Sequence, residues 1–400
     1  MKQPFLKALP ILDQIEQAGF EAYFVGGSVR DYLLNRSIHD IDIATSATPD
    51  EIKGIFHKTV DVGIAHGTVI VLFHGEPYEV TTFRSESEYN DFRRPNEVTF
   101  IRSLEEDLKR RDFTMNAIAM DKSGQMIDHF HGQADIQNKV IKTVGKAEER
   151  FREDALRMMR AVRFMSQLSF QVDQSTLLAL HKYSSLLEHI AIERITIEFE
   201  KLLVGDNLQQ ALSTLIEAGL YKYLPGFQGR ENDLMSFLSL SIDTALSIEE
   251  RWILLLFQFR KHPENVEPFL RNWKLPLIKI KRVQKGLYWL EHRLNSEWTT
   301  EDLYSAKREF VISTEKLYNV IKNQTVTKNI DLLDQKLSDL PIEKRSDLAL
   351  TGKDLIDWFQ KDGGPWVEEK LLQIEKAVLN KEVNNCREAI REWLFRCNQS

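Results

Sequence analysis

Three short stretches of this chain carry side chains that suit chemistry. The first runs Tyr23-Phe24-Val25 into Gly26-Gly27-Ser28 and on to Arg30 and Asp31. Glycines let the backbone turn sharply and approach a ligand closely, and amides at the start of the following helix suit a phosphate. Asp40 and Asp42 come next, in Asp-Ile-Asp-Ile-Ala. On a strand, a period of two points both carboxylates to one face and Ile41 and Ile43 to the other. Neighbouring carboxylates repel unless a proton or a cation is shared between them. Beside a phosphate cradle that cation is Mg²⁺, which takes one or two carboxylates together with phosphate oxygens. Taken singly, each half also fits a hairpin turn and a solvated edge strand.

The third stretch is 151–164, Phe-Arg-Glu-Asp-Ala-Leu-Arg-Met-Met-Arg-Ala-Val-Arg-Phe. Read as one helix, it buries Leu156, Met159, Val162 and Met165, and it sets Asp154 and Arg157 on a shared face. One reading of its charges is a salt-bridge ladder of Glu153 and Asp154 with Arg157, contributing about 0.3–0.5 kcal/mol per pair. The other is recognition of a base. Cytosine and adenine show an amino donor beside a ring-nitrogen acceptor, whereas uracil and guanine show the reverse. A carboxylate that accepts beside a guanidinium that donates matches the first two and opposes the others. Each reversed pair leaves buried groups unsatisfied at about 1–3 kcal/mol apiece.

The elements that must position these groups follow from pattern. Residues 5–18 and 49–58 read as helices, the second with Pro49 near its start. His66 to Phe73 and Tyr78 to Phe83 read as a hairpin across His74-Gly75-Glu76-Pro77, with Glu79 on its second strand. Residues 85–98 read as an exposed polar loop, 103–120 as a helix, and Ile127 marks a last strand. Beyond about residue 139 strand signals nearly vanish and runs of period 3.6 take over. The expected class is α+β: a small mixed-sheet head followed by an elongated all-α remainder, with segments at 1–138, 139–205, 206–295 and 296–400.

Composition narrows the classes further. The chain has 400 residues, 42% apolar and 28% charged, with a formal net charge of −7. That balance argues against wholesale polyanion binding and leaves room for a local basic face. Two cysteines, Cys386 and Cys397, with no His or Cys cluster around them, argue against a disulfide framework or zinc site and fit a reducing, cytoplasmic setting. The first twenty residues lack a signal-peptide pattern, and apolar runs such as Trp252 to Phe257 are too short to span a bilayer.

Gly26-Gly27-Ser28-Val29-Arg30-Asp31 with Asp40-Ile41-Asp42, then Arg110-Arg111-Asp112-Phe113-Thr114-Met115-Asn116-Ala117, then Glu153-Asp154-Ala155-Leu156-Arg157, resemble the class II tRNA nucleotidyltransferases, the CCA-adding enzymes of the polymerase-β-like superfamily. The resemblance covers residues 1–205 motif by motif and continues more loosely into the tail, through Gly352-Lys353-Asp354-Leu355 and Gly364-Pro365-Trp366. It implies a nucleotidyltransferase head followed by helical neck, body and tail. It also implies addition of C, C and A to tRNA from CTP and ATP. By position, Asp40 and Asp42 match the metal-binding pair, Gly27 and Arg30 the triphosphate contacts, and Arg111 a nucleotide contact. Asp154 and Arg157 match the amino-acid template for the base, with Arg160 and Arg163 as further nucleotide contacts. Residues 85–98 match the family's flexible loop, Asp128 to Asp135 its hinge motif, and 193–203 its last motif. Two departures stand out: Ala191 replaces a serine ahead of that last motif, weakening a helix cap, and His131 replaces a glycine of the hinge and stiffens it.

Glu79, on a strand beside the aspartates, is a candidate third catalytic carboxylate or else an exposed hairpin residue. For tRNA binding, 251–290 combines Lys279, Lys281, Arg282 and Lys285 with Trp273, Tyr288 and Trp289, a pattern that suits an RNA backbone or, equally, a solvated helix face over core aromatics. Rival readings are a partial enzyme adding only CC or only A, a bacterial poly(A) polymerase, and an inactive RNA- or nucleotide-binding module. Oligomeric state is not legible in the sequence.

Overall fold

The structure is a computed structural model that describes residues 1–38, 40–63, 67–86 and 98–397. Its contacts divide the chain into two units, Met1–Glu231 with Asn272–Lys274, and Asn232–Arg271 with Leu275–Ser400.

The first unit is built on strands β1 (Ala22–Val25), β2 (Asp42–Thr45), β3 (Thr59–Gly63), β4 (Thr68–Phe73), β5 (Glu76–Thr82), β6 (Arg84–Glu86), β7 (Val98–Phe100), β8 (Ala119–Met120), β9 (Met126–Ile127), β10 (Val140–Ile141) and β11 (Gln171–Val172). Seven of them form one sheet in the order β3-β4-β5-β2-β1-β8-β9, in which only β2 and β5 run parallel. The sheet is therefore mixed, as expected. The β4–β5 hairpin turns at His74 and Gly75, both with positive φ (50° and 86°). That is the geometry whose twist suits a two-residue hairpin loop.

Helices α1 (Gln3–Gln17), α2 (Gly27–Leu33), α3 (Pro49–Ile55), α4 (Leu104–Lys109) and α5 (Gly132–Gln137) dress the sheet. In α1 the apolar spacing read from sequence buries Phe5, Ala8, Ile11, Leu12 and Ile15. Phe5 meets Phe24 of β1 at 4.8 Å between ring centroids. Thr48 and Glu51 close a capping box at the start of α3.

Two local expectations are corrected. Residues 103–120 do not form one helix: α4 stops at Lys109, and Phe113 is extended and bridged to Thr143. Arg110, Arg111 and Asp112 turn inward to ion pairs, which outweigh helix propensity there. The helix over 151–164 is likewise broken. Helix α6 (Ala147–Glu153) ends at Asp154, whose φ of −138° and ψ of 103° are not helical, and α7 (Leu156–Leu168) starts afresh. The Asp154 carboxylate accepts from the Leu156 amide at 3.1 Å, a local bond that competes with continuation of the helix.

Helices α8 (Gln174–Tyr183), α9 (Ile192–Leu203) and α10 (Leu208–Glu217) follow, and α9 and α10 pack on α7. The residue before α9 is Ala191, and no side chain caps that helix. Ala191→Ser should therefore stabilise the fold by about 1 kcal/mol. A melting temperature that stays put or falls in that variant would contradict the cap argument.

In the segment resembling the hinge, Asp128 accepts from the amides of Gly132 and Gln133 at 2.8 and 2.9 Å, and Asp135 accepts from Thr114 Oγ1 at 2.6 Å. A Cβ on Gly132 would lie 2.2 Å from the Thr114 carbonyl oxygen, so only glycine fits. His131 adopts the left-handed conformation (φ 61°) where the resembled motif has glycine.

The second unit contains α11 (Glu231–Leu238), α12 (Ile248–Gln258), α13 (Val266–Asn272), α14 (Leu277–Asn295), α15 (Thr300–Ile321), α16 (Ile330–Ser338), α17 (Gly352–Phe359), α18 (Pro365–Leu379) and α19 (Arg387–Cys397). Its core includes a buried pair, Arg293 and Glu315 at 2.9 Å, to which Trp298 donates at 3.1 Å. Among the described residues no helix is long and apolar enough to cross a membrane.

Candidate active site

A cleft of about 1080 Å³ in the first unit is lined by all ten head and neck residues singled out above: Gly27, Arg30, Asp40, Asp42, Glu79, Arg111, Asp154, Arg157, Arg160 and Arg163. Positions 27 to 163 in sequence thus converge on one space.

The sheet register explains the first half of this convergence. Val25, the last residue of β1, pairs with Asp42, which also pairs across the parallel ladder with Glu79. The Gly26-Gly27 turn therefore emerges beside Asp42. Gly26 has a φ of 71°, and a Cβ there would lie 3.2 Å from Arg111 Nη1 and 3.4 Å from Asp42 Oδ2. Only glycine leaves this approach open at that φ. Ladder pairing begins at Asp42, with Asp40 exposed just ahead of the strand.

The carboxylates fit a divalent cation. Burial pushes the Asp42 carboxyl up from its ordinary range, Glu79 and Asp40 push it further, and Arg111 and Arg30 offset this in part. A bound cation would relieve that crowding. Among the described residues no three His, Cys, Asp or Glu stand ready to hold a metal, so the aspartate pair would leave most positions to ligands from the substrate. Glu79 raises the charge density beside the pair without completing a three-residue metal cage. Because metal ligation needs the ionised form, the acid limb of metal affinity should sit above the usual carboxylate range. Glu79→Gln removes the largest charge effect on Asp42 and should move that limb to lower pH. A titration of Mn²⁺ binding against pH in both proteins checks this, and an unmoved limb counts against it.

The cleft floor is a network that sequence reasoning did not assign. Buried Asp112 accepts from Arg160 Nε at 2.7 Å, Asn116 Nδ2 at 3.0 Å and its neighbouring Phe113 amide at 2.8 Å. The Arg160 and Arg157 charges and the Asn116 bond hold its carboxyl far below the usual range despite burial. Asn116 in turn accepts from Arg30 Nη1 at 2.8 Å. Arg111 pairs with buried Asp107 at 3.1 Å.

The base-reading pair is arranged differently from the expected ladder. Asp154 pairs with Arg194 of α9, at 2.6 and 3.3 Å, and not with Arg157. Arg157 instead donates to Glu153 at 2.6 Å and to the Arg110 and Arg150 carbonyls at 2.9 and 3.3 Å. A carboxylate offers about four acceptor sites and a guanidinium five donors. Among the described residues those bonds leave Asp154 one acceptor site and Arg157 spare N–H groups, and both residues line the cleft. Arg194 and Glu198 were inside the last motif but unassigned, and their signal was an Arg and a Glu four apart facing an Arg-rich helix.

The basic stretch of the second unit is paired more than expected. Lys281 meets Glu267 at 2.6 Å, Arg282 meets Glu309, and Lys285 lies 4.6 Å from the centroid of the Phe310 ring. Lys279 is half-buried. Of the aromatics, Tyr288 is exposed, whereas Trp289 is core and Trp273 is fully buried in the first unit between Phe199 and Phe227. The aromatic part of the RNA-surface reading is corrected accordingly. Residues 87–97, most of the expected flexible loop, and His66 at the start of the expected hairpin lie outside the described residues.

A mixed sheet with paired aspartates at a glycine turn, opening onto arginines on helices, defines a nucleotidyltransferase. The model of the poly A polymerase head domain matches residues 22–142, and that of tRNA nucleotidyltransferase domain 2 matches residues 244–394. A CCA-adding enzyme of Geobacillus sp. (strain WCH70) is 50% identical over 399 residues, covering 100% of this chain and 98% of the relative. One from Listeria monocytogenes is 51% identical over 394 residues, covering 98% and 99%. The crystal structure of the Bacillus stearothermophilus CCA-adding enzyme in complex with CTP is 46% identical, with a TM-score of 0.92 over 100% of this chain and 98% of that one. The chain belongs to the CCA-adding enzyme family, whose nucleotidyl transfer is metal-dependent.

Proposed function

We propose that this protein adds C, C and A to tRNA 3′ ends from CTP and ATP without a nucleic-acid template, in the cytoplasm. The observation that carries the reading is the cleft lined together by the aspartate pair, the glycine turn, Asp154 and Arg157. Asp40 and Asp42 would hold Mg²⁺, which when bound lowers the pKa of the attacking hydroxyl and offsets charge on the leaving pyrophosphate. Gly26 and Gly27 keep the backbone low enough for the triphosphate to approach. Arg30, Arg111, Arg160 and Arg163 orient it so that the primer 3′-oxygen attacks the α-phosphorus while the bond to the bridging oxygen breaks. Asp154 accepts from the amino group of C or A and Arg157 donates to the ring nitrogen. Residues 139–205 act as the base-reading neck. In the body (206–295), Lys281 and Arg282 exchange Glu267 and Glu309 for tRNA phosphates, Lys279 and Lys285 add to that basic face, and the tail (296–400) extends the contact.

The test uses purified protein, Mg²⁺ and two tRNA transcripts, one ending at the discriminator base and one ending in CC. CTP and ATP are supplied singly and together, and the 3′ ends are sequenced. Addition of C, C and A followed by arrest on the first transcript is the expected result. Stopping at CC, extending only the second transcript, long A tails or no addition would each overturn it.

A further inference from the structure

Phe164 sits on α7 and is buried, 3% exposed as a residue, yet it lines the cleft. Three guanidinium carbons surround that ring: Arg163 at 4.0 Å, Arg30 at 5.1 Å and Arg160 at 5.5 Å from its centroid. Like charges gathered this closely repel. Each has an acid of its own, Asp31 at 2.9 Å from Arg30, Asp112 at 2.5 Å from Arg160 and Glu198 at 3.1 Å from Arg163. The last pair is imperfect, since buried Arg163 Nε lacks a hydrogen-bond partner and burial pushes the guanidinium down to about 10. Phe113 meets Phe164 edge-on at 5.8 Å and fixes the ring's tilt.

A phenyl face attracts guanidinium groups through its quadrupole without cancelling their charge. A carboxylate in the same place would hold them more strongly but would tip a cluster of three arginines and three acids to net negative and repel a polyphosphate. We infer that Phe164 is a positioning residue for the triphosphate, its π-face gathering Arg30, Arg160 and Arg163 at a common centre without adding a fourth negative charge to those of Asp31, Asp112 and Glu198. This rests on the reading that those arginines bind the triphosphate. Acting through the arginines that bind the triphosphate, it should affect CTP and ATP alike.

Phe164→Leu should raise KM for CTP and for ATP by about tenfold, with kcat within about twofold of the parent. Inorganic triphosphate, used as a competitive inhibitor, should weaken by the same factor. Phe164→Tyr keeps the ring and should restore both values. Pentafluorophenylalanine at position 164 keeps the shape and inverts the quadrupole, so it should behave like leucine; it also serves if the leucine variant fails to fold. Unchanged KM and triphosphate inhibition in the pentafluoro protein, or a change confined to one nucleotide, would overturn the inference. Failure of the parent protein to extend tRNA would instead count against the function, and direct titration of inorganic triphosphate into each protein without tRNA then still tests the inference by the same tenfold difference.

Discussion

Asp42→Asn should lose nucleotide addition by at least about a thousandfold in kcat while the metal-free protein melts at a higher temperature at neutral pH. The loss follows from removing half of the aspartate pair that would hold the cation. The stability gain follows from the crowding around this side chain. Its carboxyl is held above the ordinary 3.8 by burial, Glu79 and Asp40. An acid whose folded pKa exceeds its unfolded value costs stability in its ionised form. That cost is absent below the unfolded pKa, grows as pH rises through the folded one, and is complete above it. Asparagine removes it, so the advantage should appear at pH 7.5 and vanish below about pH 4. Paired melts without divalent metal at both pH values, with turnover assays, check this. Near-normal turnover would remove Asp42 from the chemistry. A lower melting temperature at pH 7.5 would mean that Arg111 and Arg30 already satisfy it.

The second large effect concerns the base. Asp154→Ala should cut the preference for CTP over UTP by about ten- to a hundredfold, because the reversed pattern of uracil no longer meets a half-buried carboxylate that can only accept. The structure adds a control. Asp154 also holds Arg194 and the Leu156 amide, so its loss should lower stability by about 1 kcal/mol as well. Arg194→Ala frees the same carboxylate without removing it and should keep the preference for CTP while shifting the melt. Incorporation ratios from mixed CTP and UTP separate the two, and an unchanged ratio in the alanine variant would sink the template role.

Much of the site was legible in the sequence. Glycine, aspartate and arginine were recognisable at Gly26-Gly27, Asp40-Asp42 and Arg111 because few other residue types can supply a positive φ, ligate a cation or place fixed charge on a phosphate. The α1 helix and the β4–β5 hairpin were legible because their apolar spacing and turn residues are local signals. Continuity of α4 and α7 was misread because propensity is a weak prior, and inward ion pairs and one Asx-type bond at Asp154 override it.

Sequence alone determined which residue types could perform the chemistry and the order of a mixed-sheet head before helices. Tertiary structure decided which of them meet. The register that puts Val25, Asp42 and Glu79 in one row, the pairing of Asp154 with Arg194 across forty positions, and the three arginines around Phe164 all join residues distant along the chain. Such contacts form only when apolar burial brings separate elements together, and no local pattern encodes a partner that far away.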